Sequence, residues 1–251
     1  MELSVVVSPA EIARLPEQDL SKRTCVVFDV LRATSTMLAA LHAGATGVLP
    51  VTEIAEALAA RTTRPDALLA GERGGRRITA NEADGVEFDF GNSPREMLKE
   101  RVAGRLLIAT TTNGTRAIRA CAKAERILIG SFANLTATAT WLTHASPSRV
   151  LLVCSGTGDD PCLEDALAVG ALIDRLRGST ASLVLADSAI LADLSFQQAK
   201  PRLKEVFCEA RNARRLLAMP DLAADVAWCL ALDQCPFVAG LEADGIIRVR
   251  S

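Results

Sequence analysis

Short apolar runs of strand length recur along the chain, and five of them stop abruptly in polar or glycine-rich clusters. They read VVFDVLRATST from Val26, LLAGERGG from Leu68, LLIATTTNGT from Leu106, ILIGSFAN from Ile127 and VLLVCSGTG from Val150. Runs this short, branched and uninterrupted suit strands buried on both faces. Most are followed by stretches of helical character. The alternation predicts strands near 3–7, 24–30, 46–51, 67–70, 105–109, 126–130, 149–154 and 182–186. It predicts helices over 9–15, 33–43, 52–61, from Pro94, and over 115–123, 133–143 and 162–177. Further helices run toward 232, and a short strand pair is expected around 236–249. Such dense alternation argues for an α/β fold, a three-layer α/β/α sandwich around a mostly parallel mixed sheet. With 251 residues and no linker rich in Pro, Gly or Ser, a single domain over 1–251 is expected.

Local signals support several helix starts. Pro94 after Ser93 pairs an N-cap residue with Pro at the first helical position. Asn113-Gly114-Thr115 gives a tight turn ahead of Arg116-Ala117-Ile118. Glu164 and Asp165 fall in the first turn of LEDALAVGALIDRL, where carboxylates suit the helix dipole, and Gly170 lies on its packed face. The stretch from Gly71 to Pro94 has no clear periodicity. Loops of that length in compact domains are usually functional.

Composition narrows the partners. Hydrophobic residues at 49% and a mean hydropathy of +0.23 are ample for a full core. A net charge of −2 gives no general attraction to nucleic acid or to anionic membrane. No stretch approaches the ~20 apolar residues of a membrane span, and MELSVVVSPAEIARL lacks the features of a signal peptide. The seven cysteines include no C-x-x-C pair, which suits a reduced, cytoplasmic protein. Only His42 and His144 are present, so a histidine-rich zinc site or a phosphohistidine mechanism has almost no raw material.

In open α/β sheets, ligands bind outside the carboxyl ends of the strands, so the polar clusters are expected to converge on one pocket. Asp29 closes an apolar run and is followed by Arg32, Thr34 and Ser35. A carboxylate beside an arginine can hold a metal and an anion side by side, or can simply form a salt bridge with a capped helix. Glu72-Arg73-Gly74-Gly75 repeats the pairing, with glycines that allow close backbone approach. Asn92-Ser93-Pro94 reads first as a turn and cap, then as a ligand contact. Thr110 to Thr115 is the richest in donors, and its hydroxyl density exceeds what a strand–helix corner requires. The VLLVCSGTG run, with Asp187 ending a later strand, also suits a nucleotide or S-adenosylmethionine site through Gly156 and Gly158, but a short G-x-G is weak evidence. Cys154 reads as a buried thiol rather than a nucleophile. Cys208 and Arg214 have the C-x5-R spacing of cysteine-dependent phosphatases, but Glu209 to Ala213 contains no glycine and reads as helix. Asp29 also lacks the aspartate two residues on that a haloacid-dehalogenase phosphatase would carry, since Leu31 stands there.

Taken in order, these segments resemble the 2-phosphosulfolactate phosphatase family. The matching stretches are FDVLRATSTM (28–37), LLAGERGG (68–75), FDFGNSP (88–94), TTTNGTRA (110–117), LIGSFAN (128–134), VCSGTG (153–158) and LEDALAVGALID (163–174). Weaker echoes lie in ARRLL (213–217) and ALD (231–233). The stretch Ile78 to Glu87 is longer than the expected link, and Ala213 stands where a glycine is expected before the paired arginines. The resemblance implies a Mg²⁺-dependent phosphatase of α/β/α architecture. It would convert (R)-2-phospho-3-sulfolactate to 3-sulfolactate and phosphate, a step toward coenzyme M in methanogens.

On this reading Asp29, Glu72 and Asp165, with Glu164 as a substitute, are the candidate Mg²⁺ ligands. Arg32 and Arg73 are expected to clamp phosphate or sulfonate oxygens. Thr34, Gly74, Asn92, Thr112, Asn113, Gly114 and Thr115 complete the expected substrate site. Direct attack by water and an aspartyl-phosphate at Asp29 both remain open. The partner is a small anionic phosphorylated substrate, with neither nucleic acid nor membrane, and with a homodimer as an open option. The alternatives are a nucleotide- or S-adenosylmethionine-type transferase using Gly156, Gly158 and Asp187, and a catalytically silent anion-binding protein on the same fold.

Overall fold

The computed structural model describes residues 1–179 and 182–250. The apolar runs form β1 (Glu2–Val6), β2 (Thr24–Phe28), β3 (Gly47–Val51), β4 (Leu68–Arg73), β5 (Arg76–Arg77), β6 (Leu106–Thr110), β7 (Arg126–Gly130), β8 (Arg149–Cys154), β9 (Val184–Leu185), β10 (Val238–Leu241) and β11 (Ile247–Arg250). The helices are α1 (Pro9–Ile12), α2 (Ala33–His42), α3 (Ile54–Thr63), α4 (Lys99–Val102), α5 (Gly114–Ala120), α6 (Leu135–Ala145), α7 (Leu163–Ser179), α8 (Asp187–Ala199), α9 (Leu203–Glu209), α10 (Arg211–Leu217) and α11 (Ala223–Leu230). No described helix is long and apolar enough to cross a membrane.

All the strands join one mixed sheet in the order β5-β4-β6-β3-β11-β10-β7-β2-β8-β1-β9. Alternate residues of the strands feed opposite faces, the period-2 consequence of the pleat. Val26, Phe28, Leu128 and Leu152 pack with α6, α7 and α8, whereas Cys25, Val27, Ile129 and Val153 pack with α2 and α5. Leu68, Ala70, Leu107 and Ala109 of β4 and β6 join this second core, while Leu69 and Ile108 face Ala57 of α3 and Phe88. Helices α2 and α5 therefore form a layer shared by both ends of the sheet. This is the predicted α/β/α layering.

Two parallel blocks, β4-β6-β3 and β7-β2-β8-β1-β9, are stitched together by the antiparallel hairpin β10/β11. Counting pairings through that hairpin, the blocks run in opposite senses. Five steps separate β2 from β6, and at roughly 20–25° of twist per step the far block is turned through more than a right angle. The carboxyl ends of both blocks consequently meet on one side of α2 and α5. Asp29 after β2 lies against Gly114 after β6: a Cβ built on Gly114 would stand 2.7 Å from Asp29 Oδ2.

Three sequence expectations are corrected. Strand β4 continues past residue 70 to Arg73 and turns back through β5, because Glu72 and Arg73 pair with Arg77 and Arg76. The stretch after β5 is mainly a cover: Ile78, Ala83 and Phe88 bury against Leu69 and Ile108. The helix expected from Pro94 is only a 3₁₀ turn over Pro94–Glu96, followed by the four-residue α4. There the Glu96 carboxylate accepts the Gly91 N–H and Met97 turns into the core, so the backbone leaves the helical path.

Gly170 of α7 touches α8 so closely that an added Cβ would lie 2.3 Å from the Ala192 carbonyl oxygen and 2.5 Å from Phe196 Cβ. A Gly-to-Ala change inside an exposed helix gains roughly 1 kcal/mol. Here the clash dominates, and Gly170→Ala is expected to lower stability by roughly 1–3 kcal/mol. Urea unfolding measures this; an unchanged or higher midpoint would contradict the tight α7–α8 seam.

Candidate active site

Where the two blocks meet, a cavity of about 120 Å³ opens. Its lining comes from six separate segments: Asp29, Leu31 and Arg32; Glu72, Gly74 and Gly75; Asn92; Thr112 and Asn113; Thr157 after β8; and Asn212, Arg215 and Leu216 of α10. Asp29 is held by backbone. Ala33 N–H donates to Oδ1 at 3.2 Å, and the bare backbone of Gly114 packs against Oδ2. Burial, then the nearby charges of Glu72 and Glu164, push its carboxyl up to about 7.

Arg32 enters from the start of α2 and is almost fully buried. Its guanidinium donates to Asp225 Oδ2 at 2.7 Å and to the Gly75 carbonyl at 2.7 Å. Asp225, on α11, also accepts the Ser93 hydroxyl at 2.7 Å. Glu72 braces the opposite wall. Its carboxylate accepts the N–H and hydroxyl of Thr112, each at 2.9 Å, and the Gly75 N–H at 2.7 Å.

Behind Asp29 stand two buried acids at the start of α7. Asp165 accepts the Val30 N–H at 2.8 Å and the Gly156 N–H at 3.4 Å. Burial first, then the charges of Glu164 and Asp29, raise its carboxyl well above the ordinary range. Glu164 is also raised by burial, although Asn212 Nδ2 donates to its Oε1 at 2.6 Å. Its Oε2 is buried without any hydrogen-bond partner.

The predicted residues thus separate into lining and support. Asp29, Arg32, Glu72, Gly74, Asn92, Thr112 and Asn113 line the cavity. Thr34 is buried beneath it and its hydroxyl exchanges hydrogen bonds with the Asp29 backbone. Thr115 bonds back to Thr111 rather than facing the cavity. Arg73 does not line the cavity; its guanidinium reaches the Glu72 carbonyl, Thr52 and Thr110. Because Glu72 and Arg73 are consecutive in a strand, their side chains take opposite faces. The four predicted acids do not form a closed cage: among the described residues no group of three His, Cys, Asp or Glu side chains is arranged to hold a metal alone.

The motifs and their placement agree with comparison to known proteins, in which a family model for 2-phosphosulpholactate phosphatase matches residues 10–244. The chain belongs to this family. It is 37% identical over 223 residues to a probable 2-phosphosulfolactate phosphatase of Thermotoga petrophila, covering 89% of this chain and 91% of that protein. A protein of the same name from Synechococcus sp. (strain RCC307) is 37% identical over 255 residues, covering 99% and 100%. Another, from Caldanaerobacter subterraneus subsp. tengcongensis, is 35% identical over 236 residues, covering 92% of each chain.

Within this phosphatase, Gly156 and Gly158 take positive φ to turn the chain toward α7, and Asp187 is exposed at the start of α8. The nucleotide-cofactor alternative has no support from these positions. Cys154 is fully buried, with its thiol pushed well up by burial, and is inert. Cys208 and Arg214 sit on separate helices, without an anion-cradling loop between them. Sequence reasoning missed Thr157, Asn212, Arg215 and Asp225. The paired arginines in ARRLL were the one available signal for α10; Asp225 gave none, because an acid on a short helix reads as surface.

Two outcomes follow from this geometry. Gly114→Ala puts a methyl 2.7 Å from Asp29 Oδ2 and 2.6 Å from Ala33 Cβ; phosphatase turnover should fall at least roughly tenfold, in line with the sensitivity of reacting groups to small displacements, while circular dichroism stays native. The raised carboxyls of Asp29, Glu164 and Asp165 mean that the metal-free folded state binds more protons than the unfolded chain. For Asp29 the contribution is fully present below the unfolded value of 3.8 and is lost as pH rises to about 7. Melting temperature in chelator should therefore fall across that window, and Asp29→Asn should remove part of the slope. A flat or rising profile would contradict the assignment.

Proposed function

We propose that this phosphatase hydrolyses (R)-2-phospho-3-sulfolactate to 3-sulfolactate and inorganic phosphate, with Mg²⁺ as cofactor. The single observation that carries the reading is Asp29, held by the Ala33 N–H and packed against Gly114 in the same small cavity as Arg32. In the reaction, a phosphorus–oxygen bond to the lactate carbon skeleton breaks and one from water forms. A proton passes to the departing alkoxide. Phosphoryl transfer of this kind is governed by positioning and charge neutralisation.

Arg32 supplies fixed positive charge, its orientation held by Asp225 and the Gly75 carbonyl. Asn92 and Asn113 line the same cavity and offer amide donors to the ester oxygens. The Glu72 brace holds the Gly74-Gly75 turn against the Thr112 cluster, and so keeps both walls at a fixed spacing. Leu31 and Leu216 cover part of the cavity and limit water.

The donor set suits a hard divalent ion. Only oxygen ligands are offered, and Mg²⁺ is usually held by one or two carboxylates with several waters, so a closed protein cage is unnecessary. Glu164 Oε2 lacks a partner, and Asp29 is raised by burial and then by the neighbouring carboxylates of Glu72 and Glu164, a concentration of buried acids whose charge a cation would offset. Asp29 and Glu72 would hold the ion, with Glu164 behind them. When bound, Mg²⁺ would supply positive charge against the phosphoryl oxygens.

Phosphate release from a panel of small phosphomonoesters, with and without Mg²⁺, tests the reading. Wild-type protein should favour 2-phospho-3-sulfolactate and need the ion. Asp29→Asn and Arg32→Ala should each lose roughly a hundredfold or more. If both variants kept wild-type turnover, the reaction would occur elsewhere. Trapping of phosphate on Asp29 would indicate a covalent route; inversion at phosphorus would indicate direct attack by water.

A further inference from the structure

We propose that Arg215 is the specificity residue for a second anionic group on the substrate, a sulfonate or carboxylate carried beside the phosphate. The proposal rests on the phosphatase reading above and assigns the part of the substrate that is not cleaved.

Two guanidinium groups line the cavity, Arg32 and Arg215. They differ in how their charge is matched. Arg32 is buried and ion-paired with Asp225 at 2.7 Å. Arg215 forms no ion pair among the described residues. Its hydrogen bond is to the Gly74 carbonyl. The cavity also holds the carboxylates of Asp29 and Glu72, so it has no surplus positive charge at its Asp29 end. A substrate with several anionic groups needs a cation beyond those that serve its phosphate. Arg215 is the cavity residue whose charge is uncommitted, and a guanidinium can pair with two oxygens of a carboxylate or of a sulfonate at once.

Its seat is built. Gly74 and Gly75 adopt φ of +61° and +79°, and a Cβ on Gly75 would lie 3.3 Å from the Arg215 guanidinium. The bare turn lets that group lie across the rim. The same turn is tied to Glu72 through the Gly75 N–H and to Arg32 through the Gly75 carbonyl. Asn212, one helical turn before Arg215 on α10, bonds Glu164 at 2.6 Å and Thr157 at 2.9 Å. The distance between the phosphate end and Arg215 is thus fixed by two braces. Arg214 is exposed and does not line the cavity.

The test compares three esters: 2-phospho-3-sulfolactate, 2-phospholactate without the sulfonate, and isopropyl phosphate without either added anion. Arg215→Gln should lower kcat/KM for phosphosulfolactate by about tenfold to a hundredfold, the scale of a lost charge-assisted hydrogen bond. The loss should appear in KM, and isopropyl phosphate should change less than about twofold on the same scale. Loss on phosphosulfolactate alone assigns the sulfonate; loss on both lactate esters assigns the carboxylate. Arg215→Lys should recover part of the loss, and Arg214→Gln should behave as wild type. Equal loss on all three esters, or none, would overturn the proposal by reducing Arg215 to a structural tie to Gly74. If wild-type protein cleaves none of the esters, the phosphatase reading fails separately. Calorimetry then decides: Arg215→Gln must weaken binding of 3-sulfolactate at least about tenfold while sparing inorganic phosphate. Equal weakening, or no sulfolactate binding by the wild type, overturns it.

Discussion

Asp29 is held between two sets of strands that run in opposite senses, with backbone N–H groups rather than a cationic side chain for company. Raising a carboxyl from 3.8 to about 7 reflects a penalty of several kcal/mol for keeping it charged in that place. Asp165 and Glu164 add to it from behind. A fold that buries three acids this closely has to recover the energy from packing elsewhere. The double-faced sheet does so, with α6, α7 and α8 on one side and α2 and α5 on the other.

The second constraint is the buried Arg32–Asp225 pair. Buried ion pairs contribute little net stability but are severely disruptive when broken, because one charge is left alone. Here the pair also joins distant segments: the turn before α2, the Ser93 corner, the Gly75 turn and α11. Its value lies in registration. Residues separated by most of the chain acquire one fixed geometry around a cavity that none of them could form locally.

Much of this was readable in the sequence, for physical reasons that differ from residue to residue. Asp29, Glu72, Thr112 and Asn113 stood out because polar clusters ending buried strands gather where open α/β sheets bind ligands. Arg73 was paired with Glu72 because β4 was expected to stop at residue 70; once the strand runs to Arg73, adjacent side chains must diverge. Thr34 and Thr115 were expected in the substrate site, but their hydroxyls are taken by the Asp29 backbone and by Thr111. Asp225 and Asn212 could not be found by pattern. On short helices such residues look like ordinary surface, and only the path of α10 along the cavity and of α11 against Arg32 gives them meaning.

That path also explains how one cavity can combine rigidity with choice. The Asp29 side is built from strand ends and turns held by backbone hydrogen bonds, and it has little freedom to vary without losing the geometry of phosphoryl transfer. The α10 side is a short helix resting on a glycine turn, joined to the acids through Asn212 and to the rim through Arg215. Changes there alter which charges face the ligand while the sheet beneath stays intact. On the proposed reading, the chemistry and the selectivity are carried by parts of the chain under different packing constraints. The part proposed to be selective is the one least visible from hydrophobic periodicity, because its helix is short and shows only Ala213 and Leu216 to the core.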